Sequence, residues 1–185
     1  MIIGITGYYC SGKSSIERIL CNKYNFKTID VDKYGHLALD EKLNELVNVF
    51  GPDIITEGKV DRKKLGAIVF NDKHKLKFLN SIVHPVMVSA VKDRCRELNG
   101  NICINAALLF EMGLSELCSR IIVKKSNIFT LIKRGKKRDS FKFGRVLNIL
   151  KNQKCMKYAK KQNCNADIYY VDDVKDLTEL ESVVD

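Results

Sequence analysis

The N-terminal part of the chain contains the stretch Gly7-Tyr8-Tyr9-Cys10-Ser11-Gly12-Lys13-Ser14. It matches the phosphate-loop pattern Gly-x-x-x-x-Gly-Lys-Ser/Thr, in which backbone N–H groups surround the phosphates of a nucleotide. The isoleucines between Ile2 and Ile5 predict a strand before the loop, and the apolar spacing from Ile16 to Leu20 predicts a helix after it. The pattern requires this context, because the helix N-terminus adds its positive end to the site. The sequence therefore predicts a nucleoside triphosphate as ligand.

The loop also supplies side chains to this ligand. Lys13 is placed for the β- and γ-phosphates, and Ser14 is placed to hold Mg²⁺. The residues that we expect to bind the nucleotide are Cys10, Ser11, Gly12, Lys13, Ser14 and Ser15.

Length and composition limit the class of protein. The 185 residues are typical of one domain, 1–185. The seven cysteines form no Cys-x-x-Cys and no zinc-finger spacing with the histidines, so we expect free thiols. The chain opens into a strand without a signal-like segment, and no apolar run approaches the roughly 18 residues of a membrane span. These features predict a cytoplasmic protein without a membrane partner.

The net charge of +10 suits a polyanionic ligand, and nucleic acid is one such ligand. Lysine is frequent everywhere, including the run from Lys73 to Lys77, so a lysine-rich surface explains the charge equally well. The sequence shows neither a basic strand interleaved with aromatic residues nor a helix-turn-helix pattern. We therefore expect no nucleic-acid partner, and we expect no obligate protein partner.

A second group of polar residues follows the next predicted strand. Asn25 is expected to end the first helix as a left-handed cap. Residues 26–32, Phe-Lys-Thr-Ile-Asp-Val-Asp, then alternate like a strand that ends in carboxylates. Ligands bind at the carboxyl ends of strands in an open α/β sheet, so Asp30 and Asp32 are expected in the same crevice as Lys13. They share a face only if the strand is still regular there. An aspartate at this place accepts a proton from an attacking hydroxyl or holds Mg²⁺ through water, and a turn-forming role is the alternative.

Residues 40–98 predict a helical insertion. One helix is expected to end before Gly51-Pro52, and others to run through Leu65–Val69, through Leu76–His84 and from Pro85 to Leu98. An insertion of this kind is a natural place to bind the second substrate. Arg62 and His84 are its candidate contacts, and for His84 a hydrogen-bonded histidine beside a helix start is an equal alternative.

The last part of the chain predicts two buried strands and a basic helix. The apolar run Ile102–Phe110 is typical of a central parallel strand, and Ile121–Val123 predicts another strand. Ser126 or Asn127 is expected to cap a helix that carries Arg134 and Arg138 on one face, where they can bind transferring phosphates. A basic nucleic-acid patch and a solvated basic turn are the alternatives. Further elements are expected as a helix over 141–162, a strand over 168–171 and a terminal helix with Leu177 and Leu180.

The order of motifs along the whole chain resembles the dephospho-CoA kinase family, whose members use ATP to phosphorylate the 3'-hydroxyl of the ribose in dephospho-CoA. A phosphate loop by itself is much less specific than this series. The matching positions are Thr6-Gly7, Ser11-Gly12-Lys13-Ser14, Ile29-Asp30-Val31-Asp32, Phe50-Gly51, Gly58-Lys59-Val60-Asp61-Arg62, Leu65, Val69-Phe70, His84-Pro85, Leu108-Leu109-Phe110-Glu111, Arg134, Arg138-Asp139, Gln153 and Ala166-Asp167.

The resemblance implies a three-layer α/β/α phosphate-loop kinase with a five-stranded parallel sheet. It implies a core of about 1–39, 100–126 and 164–185, a helical acceptor-binding insertion of about 40–99 and a helical lid of about 127–163. ATP and Mg²⁺ are the implied cofactors, and dephospho-CoA is the implied substrate.

The resemblance also implies roles for individual residues. Asp32 is the base for the 3'-hydroxyl and holds Mg²⁺ through water, while Ser14 ligates Mg²⁺ directly. Lys13 stabilises charge on the transferring group, and Arg134 contacts the ATP phosphates. The other residues given roles are Arg138 toward the nucleotide, and Asp30, Arg62 and His84 toward the acceptor.

Several positions depart from the family pattern. Tyr8, Tyr9 and Cys10 replace Gly, Ile and Gly in the loop, and Cys10 must fit where glycine ordinarily avoids a steric cost. Elsewhere, Ala107 replaces a proline, Leu131 replaces a common glutamine, and Asp172 replaces an asparagine. These changes are expected to affect adenine or phosphate binding without removing the groups that the chemistry needs. Another small nucleotide or nucleoside kinase, an ATP-dependent nucleic-acid-binding regulator and a family member that no longer turns over are the alternative functions.

Overall fold

The computed structural model describes residues 1–139, 155–161, 164–172 and 178–184. The chain divides into two compact units. The first comprises Met1–Asp30 and the described residues from Cys95 onward, and the second comprises Val31–Arg94.

The described residues form seven strands and eight α-helices. The strands are β1 (Ile2–Gly7), β2 (Lys27–Asp30), β3 (Ile55–Thr56), β4 (Lys59–Val60), β5 (Ile102–Asn105), β6 (Arg120–Lys124) and β7 (Asp167–Val171). The helices are α1 (Lys13–Tyr24), α2 (Val31–Glu41), α3 (Leu43–Phe50), α4 (Arg62–Val69), α5 (Lys73–Glu97), α6 (Ile128–Asp139), α7 (Cys155–Lys161) and α8 (Thr178–Val184).

A five-stranded parallel sheet forms the centre of the first unit. Its strand order is β2-β5-β1-β6-β7, so the first strand lies in the middle. In strand β1, Ile3 and Ile5 are fully buried, and each contributes about 1.5–3 kcal/mol through the removal of apolar surface from water. The parallel sheet confirms the predicted α/β fold.

Helices and turns cover both faces of this sheet. On one face, Ile16 and Leu20 of α1 pack with Leu180 and Val183 of α8 against the isoleucines of β1. On the other face, the turn after β5 packs against Gly4 of β1. A Cβ atom on Gly4 would lie only 2.7 Å from the side chain of Leu109. Helix α7 contacts strands β1 and β6. These contacts give the three-layer α/β/α arrangement.

The second unit contains α2 to α5 and an antiparallel hairpin of β3 and β4. Helix α3 ends at Phe50, before the predicted stop at Gly51-Pro52. The short hairpin is not expected from the sequence, because its strands have only two residues each. At the start of α4, Asp61 accepts hydrogen bonds from the backbone N–H groups of Lys63 and Lys64 at 2.8 and 3.1 Å.

The predicted helix start at Pro85 is wrong, because α5 continues through this proline. A proline inside a helix removes one hydrogen bond and costs about 3 kcal/mol or more. The buried residues Ile82 and Val83 before it and Met87 and Val91 after it keep one helical spacing. Burial of this common face offsets the cost, since packing supplies most helical stability in proteins.

Two predicted strands are shorter than expected. Strand β2 ends at Asp30 and Val31 begins α2, so Asp30 and Asp32 do not share a strand face. Ile29 and Val31 are both buried. Their spacing of two residues is the pattern of a strand, but here Ile29 belongs to the strand and Val31 to the helix that follows it. Strand β5 ends at Asn105, and the apolar residues after it form turns in which Ala106 and Leu109 are buried.

The remaining elements agree with their predictions where the structure describes them. Asn25 is the left-handed cap of α1, with φ 54°, and strands β6 and β7 lie at the predicted places. Of the helix predicted over 141–162, the structure describes α7 alone, while Gln153 and Leu177 lie outside the described residues. Among the described helices, every one is too short or too polar to cross a membrane.

Candidate active site

The loop between β1 and α1 has the backbone geometry of an anion site. Gly12 precedes α1 in the left-handed region, with φ 96° and ψ 24°, and the N–H of Ser15 donates to its carbonyl at 3.0 Å. A turn in which the N–H of Ser11 donates to the carbonyl of Tyr8 at 3.0 Å reverses the chain after β1. The first N–H groups of α1, from Lys13 onward, have no partner within the helix and carry its positive end. The loop can therefore surround phosphate oxygens.

The side chain of Lys13 lies against this loop. Its ammonium group donates to the carbonyl oxygens of Gly7 and Tyr8 at 3.1 and 3.2 Å. These contacts hold the cation at the carboxyl end of β1, where the loop begins. Ser14 and Ser15 follow in the first turn of α1, and both are exposed.

Ser11 is fully buried at the centre of the loop. Its carbonyl oxygen lies 2.9 Å from the hydroxyl of Ser126, which is also 2.6 Å from the carbonyl of Lys125. Within the described residues, the hydroxyl oxygen of Ser11 is buried and has no hydrogen-bond partner. An unsatisfied buried hydroxyl is costly, and an oxygen-rich ligand at the loop would remove that cost.

Cys10 has a left-handed backbone, with φ 60°. This conformation costs a residue with a Cβ atom about 1–2 kcal/mol relative to glycine. The structure thus confirms that the cysteine stands where a glycine would fit without strain.

The carboxyl ends of three strands lie side by side next to the loop. Asn105 ends β5 and is paired in the sheet with Asp30 of β2 and Ile5 of β1. Its amide donates to one carboxylate oxygen of Glu17 at 2.5 Å, and Thr28 donates to the other oxygen at 2.5 Å. This network holds α1 against β2 and β5. It fixes the carboxyl ends of these two strands, where Asp30 lies.

Lys124 lies at the carboxyl end of β6, the strand on the other side of β1. Its side chain is buried, and the ammonium group donates to the carbonyls of Lys125 and Asp172 at 2.7 and 2.5 Å. The stem of the same side chain passes beside Gly12, at 4.0 Å from the position of a Cβ atom there. Lys124 therefore joins the ends of β6 and β7 next to the phosphate loop.

Helix α6 brings Arg134 to the loop. Of the two predicted caps, Asn127 is the one that caps this helix, since its side chain accepts a hydrogen bond from the N–H of Phe129 at 2.9 Å. One guanidinium nitrogen of Arg134 lies 3.4 Å from the carbonyl of Ser11 and 3.5 Å from that of Cys10. The structure thus brings Arg134, Lys13 and the loop together. Arg138 belongs to the same helix, and its side chain lies outside the described residues.

The second unit holds the other residues predicted from the sequence. Asp32 is exposed in the first turn of α2. Arg62 begins α4 and donates to Nε2 of His36 at 2.7 Å, so this ring nitrogen is the acceptor. His84 lies in the interior of α5 and not beside a helix start. Burial lowers the pKa of His84, which keeps its ring neutral at pH 7.

A cleft of about 450 Å³ is also present in the second unit. Among the described residues, its lining is mostly apolar and includes neither Arg62 nor His84. The lining residues are Val49, Phe50, Ile68, His74, Lys75 and Phe78.

Comparison with known proteins places this arrangement in a family. A sequence model described as dephospho-CoA kinase matches residues 1–174. The chain belongs to the dephospho-CoA kinase family.

Individual members agree with the family model. A dephospho-CoA kinase of Helicobacter pylori is 31% identical over 99% of this chain and 93% of its own length. One of Borreliella burgdorferi is 45% identical over 68% of this chain, and the match spans 62% of that relative's length. The solved structure of a dephospho-CoA kinase from Campylobacter jejuni has a TM-score of 0.66 and 29% identity, covering 99% of this chain and 94% of that one.

Four residues of the site in this family member were missed by sequence reasoning. Asn105 is a polar residue inside the apolar run Ile102–Phe110, and this interruption is the signal that could have marked it. Lys124 occupies the same kind of position at the end of β6. Glu17 carries no comparable signal, and Ser126 is predicted only as a possible helix cap, because their partners become neighbours only through the fold. The four residues are Glu17, Asn105, Lys124 and Ser126.

The cysteines of this family member are all free, as predicted. Within the described residues, no group of three or more His, Cys, Asp or Glu side chains forms a metal site.

Cys155 is fully buried. Burial raises the pKa of Cys155 to about 11, and the nearby Glu111 carboxylate adds to the effect. A thiol of this kind stays protonated and unreactive at neutral pH.

Proposed function

We propose that this protein transfers the γ-phosphoryl group of ATP to the 3'-hydroxyl of the ribose in dephospho-CoA, giving coenzyme A and ADP. The observation that carries the proposal is the phosphate loop with Lys13 and Arg134 beside it, in a chain that matches the family model over residues 1–174. The loop supports the nucleotide, and family membership supports the acceptor.

Two observations support ATP at the loop. Backbone N–H groups and the N-terminus of α1 offer positive charge to the phosphates. The buried hydroxyl of Ser11 provides a further polar group that has no partner among the described residues. Lys13 and Arg134 then stabilise the negative charge on the transferring group, since phosphoryl transfer depends mainly on positioning and electrostatic stabilisation.

The donor set also suits Mg²⁺. Ser14 offers a hydroxyl oxygen in the first turn of α1, and its exposed position leaves room for the waters that Mg²⁺ keeps. When bound, the ion would neutralise charge on the β- and γ-phosphates. We assign Ser14 as its direct ligand and Asp32 as a ligand through water.

We assign Asp32 as the general base. The 3'-oxygen forms a bond to the γ-phosphorus, the bond from that phosphorus to the β–γ bridging oxygen breaks, and ADP leaves with the electron pair. The hydroxyl proton passes to the Asp32 carboxylate. Arg138 adds charge at the phosphates, while Asp30, Arg62 and His84 bind the acceptor. Because the ring of His84 is neutral at pH 7, it acts as a hydrogen-bonding or packing group.

The choice of acceptor tests this proposal against another nucleotide or nucleoside kinase. The purified chain is incubated with Mg-ATP and equal concentrations of dephospho-CoA, AMP, CMP and deoxyadenosine, and the phosphorylated products are quantified by mass. We expect coenzyme A as the main product. Phosphorylation of a nucleotide or nucleoside with dephospho-CoA untouched would overturn the assignment.

A second measurement addresses the basic charge. We expect any binding of DNA or RNA to be weak at physiological salt and to fall steeply as salt rises, as for non-specific contacts with phosphates. Tight nucleic-acid binding at physiological salt, without phosphoryl transfer to any acceptor, would instead support an ATP-dependent regulator.

We propose a cytoplasmic location because the substrate and ATP are intracellular metabolites.

A further inference from the structure

Two neighbouring tyrosines of the phosphate loop pack on the helix that carries Arg134. Leu131 of α6 is 2% exposed, and Tyr8, Tyr9 and Ile132 pack against it. We call these four residues the loop–helix cluster. Tyr8, Tyr9 and Leu131 are also three of the positions at which the sequence departs from the family pattern, so the departures meet at one place in the fold.

The contacts of Arg134 with the carbonyl groups of the loop are long. The guanidinium nitrogen of Arg134 lies 3.4 and 3.5 Å from the carbonyls of Ser11 and Cys10, at the upper limit for a hydrogen bond. Arg134 is itself exposed, whereas Leu131 is buried. The position of α6 on the loop therefore depends more on the apolar cluster than on these two contacts.

Leu131 and Arg134 are three positions apart and so lie on neighbouring parts of one helix face. Burial of Leu131 under the two tyrosines brings the guanidinium group toward the loop. Its nitrogen lies 3.5 Å from the position of a Cβ atom on Gly12, the last residue before α1. The cluster and the phosphate site thus share one helix face.

We propose that the loop–helix cluster positions Arg134 over the phosphate loop, so that the triphosphate meets a guanidinium group already held in place. Leu131, Tyr8 and Tyr9 are positioning residues, because they act on the phosphates only through Arg134. The inference rests on the proposed use of ATP and does not depend on the acceptor. A group fixed before binding loses less conformational freedom when the ligand arrives, and this favours affinity.

The first test is the Kd for Mg-ATP, measured by calorimetry without acceptor. We expect Leu131→Ala to raise the Kd about tenfold, which corresponds to about 1.4 kcal/mol. Leu131→Met keeps an apolar side chain of similar volume and should restore most of the affinity. Phe129→Ala removes an apolar side chain of the same helix that is 77% exposed, and it should leave the Kd within twofold of wild type.

The second test is a double-mutant cycle, which separates positioning from general damage. Arg134→Ala should raise the Kd about tenfold in the wild-type background and less than threefold in the Leu131→Ala background. Hydrogen exchange without nucleotide should show lower protection of residues 128–137 in Leu131→Ala and unchanged protection of α1.

The proposal is overturned if Arg134→Ala has the same effect in both backgrounds, or if Leu131→Ala binds Mg-ATP as tightly as wild type. If Leu131→Ala lacks the protection of α1, Tyr8→Ala, which truncates the cluster from the loop side, is used for the same cycle. Tight Mg-ATP binding without phosphorylation of dephospho-CoA would contradict the proposed function. The affinity measurements would still show whether the loop–helix cluster positions Arg134.

Discussion

Strand β1 passes so close to β6 that a Cβ atom on Gly7 would lie 2.6 Å from the carbonyl oxygen of Lys124. Gly7 and Lys124 are register partners in the sheet, and Gly7 has φ 149°. The same Cβ atom would lie 2.9 Å from the buried hydroxyl of Ser11. The start of the phosphate loop therefore has no space for a side chain, because the nearest neighbour is backbone that cannot rotate away.

Gly7→Ala should therefore displace the loop from β6. We expect a loss of more than about 2 kcal/mol in the free energy of unfolding and an ATP affinity too weak to measure. The matched control is Gly100→Ala. Gly100 also has a positive φ, 95°, but nothing lies within 4 Å of its Cβ position. This control should lose only about 1–2 kcal/mol from the backbone conformation. Equal losses in urea denaturation for both variants would show that the contact with Lys124 is unimportant.

Cys10 permits the opposite experiment. Because its backbone is left-handed, Cys10→Gly should raise the free energy of unfolding by up to about 1 kcal/mol, after the larger entropy of glycine in the unfolded chain is subtracted. Cys10→Ala keeps the Cβ atom and should not show this gain. Urea denaturation of the three proteins is the measurement. A glycine variant less stable than the alanine variant would contradict the strain at this position.

Asp30 and Asp32 should affect different kinetic constants. Asp32→Asn removes the proposed base and should lower kcat by about 10²- to 10⁴-fold. Asp30→Asn should raise the KM for dephospho-CoA with a smaller change in kcat, because Asp30 is assigned to acceptor binding. Steady-state kinetics with both substrates varied gives the two constants. An unchanged kcat for Asp32→Asn would remove Asp32 from the role of base.

The ionisation of His84 predicts the pH dependence of stability. Burial lowers the pKa of His84 in the folded protein below the ordinary value of 6.5, so the unfolded chain binds the proton more tightly. Well above pH 6.5, His84 is neutral in both the folded and the unfolded chain, so its ionisation does not affect the free energy of unfolding. It destabilises the fold as the pH falls through 6.5, and the effect becomes constant below the folded pKa.

Urea denaturation between pH 8 and 5 tests this prediction. His84→Gln should lose less stability than wild type over that range. His74→Gln is the matched control, because His74 is an exposed histidine of the same helix, and it should follow the wild-type profile. The interpretation fails if the His84→Gln and wild-type profiles are parallel.

Most of the first unit follows from local sequence patterns. The strand, loop and helix from Ile2 to Tyr24, the caps at Asn25 and Asn127 and the edge strand β7 all lie at their predicted places, because each depends on residues close in sequence. The loop residues and Arg134 come together as expected.

The errors have long-range causes. At Pro85, a common buried face outweighs a local helix-breaking residue, and at Val31, burial looks alike in a strand and a helix. The contacts of Glu17 with Asn105 and of Ser126 with Ser11 join residues 88 and 115 positions apart. Such pairs have no local spacing rule, so one sequence does not reveal them.

Phosphoryl transfer from ATP to dephospho-CoA at the phosphate loop is the proposed activity of this protein. The most direct measurement is the rate of coenzyme A formation with Mg-ATP and dephospho-CoA, comparing wild type with Lys13→Ala. We expect turnover in the usual kinase range of about 1–100 s⁻¹ for wild type. Loss of the Lys13 cation should lower it at least about 100-fold while the fold is kept. A wild-type protein that forms no coenzyme A, or a Lys13→Ala variant that forms it at the wild-type rate, would overturn the proposed function.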